Sequence, residues 1–266
     1  MNFAKYHGTG NDFLFVDAIP NDPSGLAKRL CDRHFGIGAD GLMFAKPSQK
    51  ADLAMAYYNA DGSIAPMCGN GLRCFVRYTL DHGLLKGTFF EIETLAGLFE
   101  VALNPDETLS INLGDPRLML RSDEMMNPAE SVTITVDGHA FTLYPFFLGT
   151  LHAITLIEPD FDPHPYGEIL TAHPRFPNAI NVNFVTVYNP HTIRVITHER
   201  GAGWTLSCGT GSAASAYWTH RHGLTVADMR VNVKGGTLRV NTESNVILTG
   251  PAVFIASGTL GGLAYD

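Results

Sequence analysis

Cys68–Gly71 has the sequence Cys-Gly-Asn-Gly, and Cys208–Gly211 has the sequence Cys-Gly-Thr-Gly, 140 residues further along a chain of 266. The likeness continues past the cysteines, because His82–Leu84 recurs as His222–Leu224 at the same offset. Several matches in the same order at one offset predict an internal duplication. A period of this length fits two domain-sized halves, since a domain usually has ~50–200 residues.

Apolar runs and turn residues divide each half into short strands and one prominent apolar helix. The helix is predicted over Leu72–Leu80 in the first half and over Gly211–Arg221 in the second. Many short strands with few helices predict an α+β fold of two pseudo-symmetric domains rather than a doubly wound parallel sheet. We expect the N-terminal half, with Cys68, to span residues 1–115 and to be joined by the C-terminal segment 254–266. The C-terminal half, with Cys208, is expected over residues 116–253.

The composition is that of an ordinary globular protein, with 45% hydrophobic and 17% charged residues. The net charge is −8 and no Lys/Arg run is present, which argues against a nucleic-acid partner. No apolar run reaches the ~18 residues of a membrane-spanning helix. The first residues lack the apolar stretch of a signal peptide. We therefore expect a cytoplasmic enzyme that binds neither nucleic acid nor membrane.

The four cysteines, at positions 31, 68, 74 and 208, are spaced too irregularly for a disulfide framework in a chain of this length. No Cys-x-x-Cys is present, so a zinc site is not expected. Cys31 and Cys74 lie inside apolar helical patterns and are interpreted as small buried hydrophobic residues. Cys68 and Cys208 differ from them because each opens a glycine-rich turn that leads into a helix.

Such a turn presents free backbone N–H groups and the positive end of a helix dipole to a carboxylate. A thiol at the same place is expected to have a lowered pKa, because the dipole favours the thiolate. Two such turns could hold one carboxylate with its α-carbon between two sulfurs. A thiolate would then remove the Cα proton while a thiol protonates the opposite face. The pattern predicts inversion of a stereocentre with no cofactor and no metal.

The motifs together resemble the diaminopimelate epimerase family over essentially the whole chain. The motifs that carry the resemblance are His7–Phe13, Asn59–Ser63, Cys68–Cys74, Glu199–Gly203 and Cys208–Gly211. The resemblance implies a pyridoxal-phosphate-independent epimerase of amino acids. It also implies two domains that each wrap a mostly antiparallel or mixed sheet around a central helix, an active site in the cleft between them, and a homodimer.

The resemblance implies a role for each candidate residue around the reacting carbon. The base and acid pair would be Cys68 and Cys208. The reacting carboxylate would be bound by backbone N–H groups of Gly69, Asn70, Gly209 and Thr210. The amine of the substrate would be held by Asn11 and Glu199.

The resemblance also implies that Asn59, Asn181 and Arg200 hold the far end of the substrate. Arg200 suits this role physically, because a guanidinium can bind a distal carboxylate through two parallel hydrogen bonds. A second carboxylate at the far end of the substrate is a feature of diaminopimelate. These three residues therefore favour diaminopimelate as the substrate.

Two departures from the family pattern concern the same end of the substrate. The family usually has Gly-Asn-Pro-His where this chain has Gly149–His152, so Thr150 replaces an asparagine beside His152. The family also has an acid where this chain has Trp204. We therefore predict that Thr150, His152 and Trp204 influence specificity. An aromatic side chain and a lost distal ligand would suit another amino acid such as histidine, which is the alternative substrate.

The sequence argues against two other classes of function. Gly36–Gly41 satisfies Gly-x-Gly-x-x-Gly, but dinucleotide binding needs a strand before the motif and a helix after it. Here a helix predicted over Asp22–His34, with Asp22 as its cap and Pro23 in its first turn, precedes the motif. A predicted strand, Leu42–Ala45, follows it. A non-catalytic amino-acid-binding protein would use the two helix ends alone and would have no need for a thiol at each of them.

Overall fold

The computed structural model describes residues 1–261, which form two compact units. The first unit consists of Met1–Ile111 and the chain from Gly250 onward, and the second consists of Asn112–Thr249. Residues 262–266 of the predicted C-terminal segment lie outside the described residues. Short strands outnumber helices in both units, which confirms the predicted α+β class.

The first unit begins with seven strands and two helices. The strands are β1 Asn2–Gly8, β2 Asn11–Val16, β3 Gly41–Lys46, β4 Leu53–Asn59, β5 Phe89–Thr94, β6 Gly97–Leu103 and β7 Leu109–Asn112. The helices are α1 Pro23–Cys31, between β2 and β3, and α2 Gly69–Asp81, between β4 and β5.

The second unit repeats this order. Its strands are β8 Val132–Val136, β9 His139–Leu148, β10 Thr150–Leu156, β11 Asn181–Asn189, β12 Thr192–Glu199, β13 Gly203–Trp204, β14 Asp228–Val233, β15 Gly236–Asn241 and β16 Ile247–Gly250. Its helices are α3 Gly167–Thr171 and α4 Gly209–Arg221. The last strand, β17 Val253–Thr259, pairs with β1 of the first unit.

The strand pairings show that the duplication extends to topology. From β1 to β7 the neighbours β1–β2, β3–β4, β5–β6 and β6–β7 are antiparallel, whereas β2–β3 and β4–β5 are parallel. The second unit has the same succession, with parallel pairs β10–β11 and β12–β14 among antiparallel neighbours. The outer strands match too, because β17 pairs antiparallel with β1 and β8 pairs antiparallel with β9.

Each unit buries one helix of 13 residues against its sheet. Helix α2 packs on β1, β2 and β3, and α4 packs on six strands, β9–β12, β14 and β15. Leu72, Phe75 and Val76 on α2 are completely buried. Most residues of α2 and α4 are buried, so each helix lies inside the curve of its sheet rather than on the surface. None of the helices within residues 1–261 is long and apolar enough to cross a membrane.

Helix α1 is shorter than its apolar pattern indicates. Asp22 caps it by accepting a hydrogen bond from Gly25 N at 2.9 Å, and Pro23 opens the first turn, as predicted. The helix ends at Cys31 rather than at the expected His34. The Asp32 carboxylate accepts the N–H groups of residues 34 and 35, each at 2.7 Å, and this local turn replaces another helical turn.

Candidate active site

Cys68 is the N-terminal cap of α2, and its own backbone is extended. Its thiol donates to Asn11 Oδ1 at 3.5 Å, and Asn70 Nδ2 approaches the same oxygen at 3.4 Å. Asn11 opens β2, and α2 packs on that strand. The first unit thus brings three of the predicted site residues together at one helix end.

Asp40 determines which end of the Asn11 amide faces Cys68. Asn11 Nδ2 donates to Asp40 Oδ2 at 2.6 Å, and an ionised carboxylate can only accept. Asn11 Oδ1 therefore points towards the thiol. Asp40 is held in turn by Arg33, whose guanidinium donates to Asp40 Oδ1 at 2.8 Å. Asp40 is not among the residues predicted for the site.

Asp40 belongs to the stretch Gly36–Gly41 that satisfies the dinucleotide-binding pattern. This stretch follows α1 and leads into β3, which is the reverse of the order that a dinucleotide fold requires. The observed order agrees with the sequence-based argument against dinucleotide binding. Within this stretch the Asp40 carboxylate contacts Asn11, and this contact arises only in the folded chain.

Arg73 is a buried cation that positions Asn70. Its side chain is completely buried, and it donates to Asn70 Oδ1 at 2.8 Å and to the carbonyl oxygen of Pro251 at 3.2 Å. Burial lowers the pKa of its guanidinium. The side chain joins the start of α2 to the segment that leads into β17. Asn70 is therefore held from both sides, by Arg73 and by Asn11.

Cys208 occupies the corresponding N-terminal cap of α4. Its sulfur accepts from Gly211 N at 3.4 Å and lies 3.7 Å from Thr210 Oγ1. His152 Nε2 lies 3.0 Å from the same Thr210 oxygen, and the His152 ring is completely buried. The second unit thus places Thr210 between the thiol and the imidazole.

The protonation state of Cys208 corrects the expectation that the helix dipole lowers its pKa. Burial raises the pKa of this thiol well above its ordinary value, and the neighbouring Glu199 carboxylate raises it further. The Gly211 N–H group and the Thr210 side chain act in the opposite direction but are weaker. Desolvation and a like charge therefore outweigh the helix end. Cys208 is a protonated thiol near neutral pH.

Glu199, which is predicted to hold the substrate amine, ends β12 and lies beside Cys208. Thr205 Oγ1 donates to Glu199 Oε1 at 2.6 Å, so the carboxylate is held by the residue that directly follows β13. A carboxylate beside a thiol can accept from an ammonium group bound at the same place.

Three of the residues predicted for the far end of the substrate are also brought together. Arg200 NH2 donates to Thr150 Oγ1 at 3.1 Å, and Arg200 N donates to Asn181 Oδ1 at 2.9 Å. The Arg200 side chain is exposed, with a further bond from NH1 to the carbonyl oxygen of Asn178 at 3.3 Å. Asn59 lies in the first unit, where its amide donates to Ser63 Oγ at 3.0 Å, and its grouping with Arg200 stays a prediction.

Trp204 packs among the side chains of its own unit. Its ring lies 5.7 Å from the Phe184 ring, 4.7 Å from His164 and 5.0 Å from His198, measured between ring centroids. The ring also covers Gly167, where an added Cβ would lie 2.3 Å from Trp204 Cζ2. These contacts give Trp204 a packing role, and its influence on specificity stays a prediction.

The other two cysteines are buried free thiols, as interpreted from the sequence. Burial raises the pKa of Cys31 to about 12 and raises the pKa of Cys74 as well. Both thiols are therefore protonated at neutral pH. Within residues 1–261 no cluster of three or more His, Cys, Asp or Glu side chains could hold a metal ion.

The comparison with known proteins decides the family. Residues 3–119 and 148–255 match the family model described as diaminopimelate epimerase. This chain belongs to the diaminopimelate epimerase family. The diaminopimelate epimerase of Alkaliphilus metalliredigens is 39% identical over 97% of this chain and 96% of its own length. That of Archaeoglobus fulgidus is 38% identical over 99% of this chain and 98% of its own length.

Solved structures that resemble this diaminopimelate epimerase family member confirm the fold. A hydroxyproline epimerase from Agrobacterium vitis has a TM-score of 0.73 at 16% identity, covering 97% of this chain and 91% of its own. A probable proline racemase from Agrobacterium radiobacter has a TM-score of 0.71 at 17% identity, covering 100% and 94%. At these identities the likeness shows the fold alone. The family itself confirms the predicted class, an isomerase.

Proposed function

We propose that this protein epimerises diaminopimelate at one α-carbon, with Cys68 and Cys208 as the proton-transferring groups and without pyridoxal phosphate. The observation that carries the proposal is the pair of cysteines at the N-terminal caps of α2 and α4, which are equivalent helices of a duplicated fold. The relatives of Alkaliphilus metalliredigens and Pelotomaculum thermopropionicum, at 39% and 36% identity, are named diaminopimelate epimerase. The reaction would convert the L,L isomer to the meso isomer for lysine and cell-wall synthesis.

The unequal surroundings of the thiols support a definite starting state. Cys208 is a thiol near neutral pH because burial and Glu199 raise its pKa. We propose that Cys68 loses to solvent the proton that it shares with Asn11 Oδ1 and, as the thiolate, removes the Cα proton, while the Cys208 thiol protonates the opposite face. Cys68 takes one proton from the substrate and Cys208 gives one to it, so after the reaction Cys68 is the thiol and Cys208 is the thiolate. The reverse reaction starts from that exchanged state.

The charge that develops on the substrate carboxylate needs donors that are already in position. We propose that the first backbone N–H groups of α2 and α4 supply them, because the first turn of a helix has no carbonyl partners of its own. These groups belong to Gly69, Asn70, Gly209 and Thr210. Asn11 Oδ1, aimed by Asp40, and the Glu199 carboxylate would accept from the substrate ammonium group.

The far-end cluster supports diaminopimelate over histidine. Arg200 is exposed and is tethered through Thr150 and Asn178, which leaves a cation in position for a second carboxylate. Thr150 replaces the family's asparagine but still holds Arg200. The packing contacts of Trp204 account for an aromatic residue at this position, which had favoured histidine as the substrate. We propose that Asn59 and Asn181 complete the binding of this end.

The remaining proposals rest on the sequence and on the resemblance. We propose a homodimer in the cytoplasm, a small amino acid as the ligand, and two domains that correspond to the two halves of the sequence. The observed division into Met1–Ile111 with the chain from Gly250 onward, and Asn112–Thr249, supports the last of these.

Hydrogen exchange at the α-carbon tests the proposed function. In D₂O without added cofactor, L,L-diaminopimelate should acquire deuterium at one α-carbon and yield the meso isomer, because the returning proton comes from a thiol equilibrated with solvent. L-Histidine should exchange far more slowly. The measurement is proton NMR with chiral chromatography. If histidine alone exchanged, histidine would replace diaminopimelate as the proposed substrate. If neither amino acid exchanged, the proposed reaction would be refuted for both substrates.

Asp40→Asn should weaken substrate binding, because an amide in place of the carboxylate no longer forces Asn11 Oδ1 towards the substrate amine. The loss of one hydrogen bond to a charged group predicts a rise in KM of about tenfold or more, with a smaller change in kcat. Steady-state kinetics measure both. Asp52→Asn is the matched control, since this carboxylate accepts from the Glu91 backbone N–H group on β5. An unchanged KM for Asp40→Asn would contradict the role assigned to Asp40.

A further inference from the structure

Asn183 lies on β11 beneath the start of α4 and is completely buried. Its Oδ1 accepts from Thr197 Oγ1 at 3.0 Å. Its Nδ2 lies 3.2 Å from the carbonyl oxygen of Ala153 and 3.2 Å from Nδ1 of His152. The amide oxygen and both amide hydrogens of Asn183 thus have partners, in Thr197, Ala153 and His152. No motif in the sequence marks Asn183.

The carbonyl oxygen of Ala153 sets the orientation of the Asn183 amide. A carbonyl can only accept, so the NH₂ end of Asn183 must face Ala153. The second hydrogen of the same nitrogen then points at His152 Nδ1. Nδ1 must therefore be the unprotonated nitrogen of the ring, and the ring hydrogen lies on Nε2.

The assigned tautomer sets the direction of the next two hydrogen bonds. His152 Nε2–H donates to Thr210 Oγ1 at 3.0 Å, which leaves the Thr210 hydroxyl hydrogen for Cys208 Sγ at 3.7 Å. Burial, with the nearby charge of Arg200, lowers the pKa of His152 to about 3. The ring is therefore neutral at physiological pH and keeps one nitrogen as an acceptor.

We propose that Asn183 is a positioning residue that holds His152 as the Nε2–H tautomer and thereby makes the Thr210 hydroxyl a donor to Cys208. A donor at the sulfur favours the thiolate over the thiol. This matters when Cys208 is the base, because burial and Glu199 oppose that form. The inference rests on the proposed function for its catalytic meaning, although not for the tautomer itself.

The first unit has a methionine where the second has Asn183, so this series of hydrogen bonds is not repeated there. Met43 of β3 precedes Asn183 by 140 residues, the offset that separates the two cysteines. An added Cβ on Gly71 would lie 2.3 Å from Met43 Cε, and one on Gly211 would lie 2.3 Å from Asn183 Oδ1. The glycine makes room for a side chain of the equivalent strands β3 and β11, and in the second unit that side chain is an amide.

The charged groups next to this series of hydrogen bonds are Glu199, the last residue of β12, and Arg200, which follows it. His198 on the same strand shares Nδ1 with Thr171 Oγ1 at 2.8 Å, and burial lowers its pKa. Asn183 contacts the His152 ring, and Thr210 contacts both that ring and Cys208 Sγ. Both side chains are uncharged. A change in the Cys208 pKa on replacing Asn183 therefore reports on the hydrogen-bonded chain.

Nitrogen-15 NMR of the histidine side chains tests the tautomer directly. The His152 signals, assigned by their loss in His152→Asn, should show a single Nε2–H tautomer that does not titrate between about pH 5 and 8. In Asn183→Leu, which removes the donor at similar volume, His152 should become a mixture of tautomers. An Nδ1–H ring in the wild-type protein would overturn the proposal even if no variant folded.

Alkylation by iodoacetamide, resolved by mass spectrometry of the peptides, tests the effect on the thiol. Asn183→Leu should slow the alkylation of Cys208 near pH 8 about tenfold, the effect of one hydrogen bond, and should leave Cys68 unchanged. Thr225→Val is the matched control, because Thr225 is buried and bonds to Thr219 away from this chain. Equal rates at Cys208 in wild-type protein and Asn183→Leu would refute the proposed donor.

Both measurements are made without substrate, so they are separate from the test of the proposed function. A protein that exchanges neither amino acid in D₂O while His152 shows the Nε2–H tautomer would refute the function and retain the assignment of Asn183. A protein that epimerises diaminopimelate while Asn183→Leu leaves the tautomer unchanged would refute the assignment and retain the function.

Discussion

Cys68→Ala and Cys208→Ala should each lower kcat/KM for diaminopimelate by about 10²–10⁴-fold, the usual contribution of a positioned acid or base. Each thiol is the base in one direction of the reaction and the acid in the other, so either loss should slow both directions. The measurement starts separately from the L,L and the meso isomer and follows the product by chiral chromatography. Near-wild-type turnover in either variant would refute the two-thiol mechanism.

The matched control for these variants is Cys31→Ala. Cys31 is a buried thiol of α1 with a pKa of about 12, and the mechanism assigns it no role. It should retain wild-type kinetics. Thermal unfolding of all three variants separates a loss of chemistry from a loss of fold, because a cysteine-to-alanine change removes only one sulfur atom from the packing. A variant that is inactive but melts at the wild-type temperature supports the proposed roles.

Arg200→Met should raise KM for diaminopimelate by about 10²-fold, because two charge-assisted hydrogen bonds to the distal carboxylate would be lost. Arg200 is exposed and its own partners are Thr150 and Asn178, so the fold should not depend on it. Thr150→Val should give a smaller rise in KM, since the guanidinium keeps its charge and loses one tether. Steady-state kinetics of both variants provide the comparison.

The control for charge is Arg230→Met, which removes a cation from an exposed position on β14 of the same unit. Its KM should equal that of the wild-type protein. Any slow exchange of an amino acid without a distal carboxylate, measured in D₂O, should be unaffected by Arg200→Met. An equal loss for both kinds of substrate would show that Arg200 supports the site rather than the distal carboxylate.

Features that depend on short stretches of chain were predictable. The glycine-rich turn before each apolar helix places Cys68 and Cys208 at helix N-terminal caps, and this follows from a few neighbouring residues. The alternation of apolar runs with turn residues also indicated the short strands. The helix end at Cys31 was missed, because the apolar pattern continues while the Asp32 carboxylate satisfies the next backbone N–H groups.

The duplication, the division of each half into short strands and one apolar helix, and the place of one thiol at each helix end could be predicted because they are local or repeating properties of the chain. The surroundings of those thiols could not, because they come from contacts between residues that are distant in the sequence. Asn183 meets His152 across 31 residues, His152 meets Thr210 across 58, and Asn11 meets Asp40 across 29. The raised pKa of Cys208 likewise comes from burial by the whole unit, and desolvation is a property of the packed fold rather than of any motif.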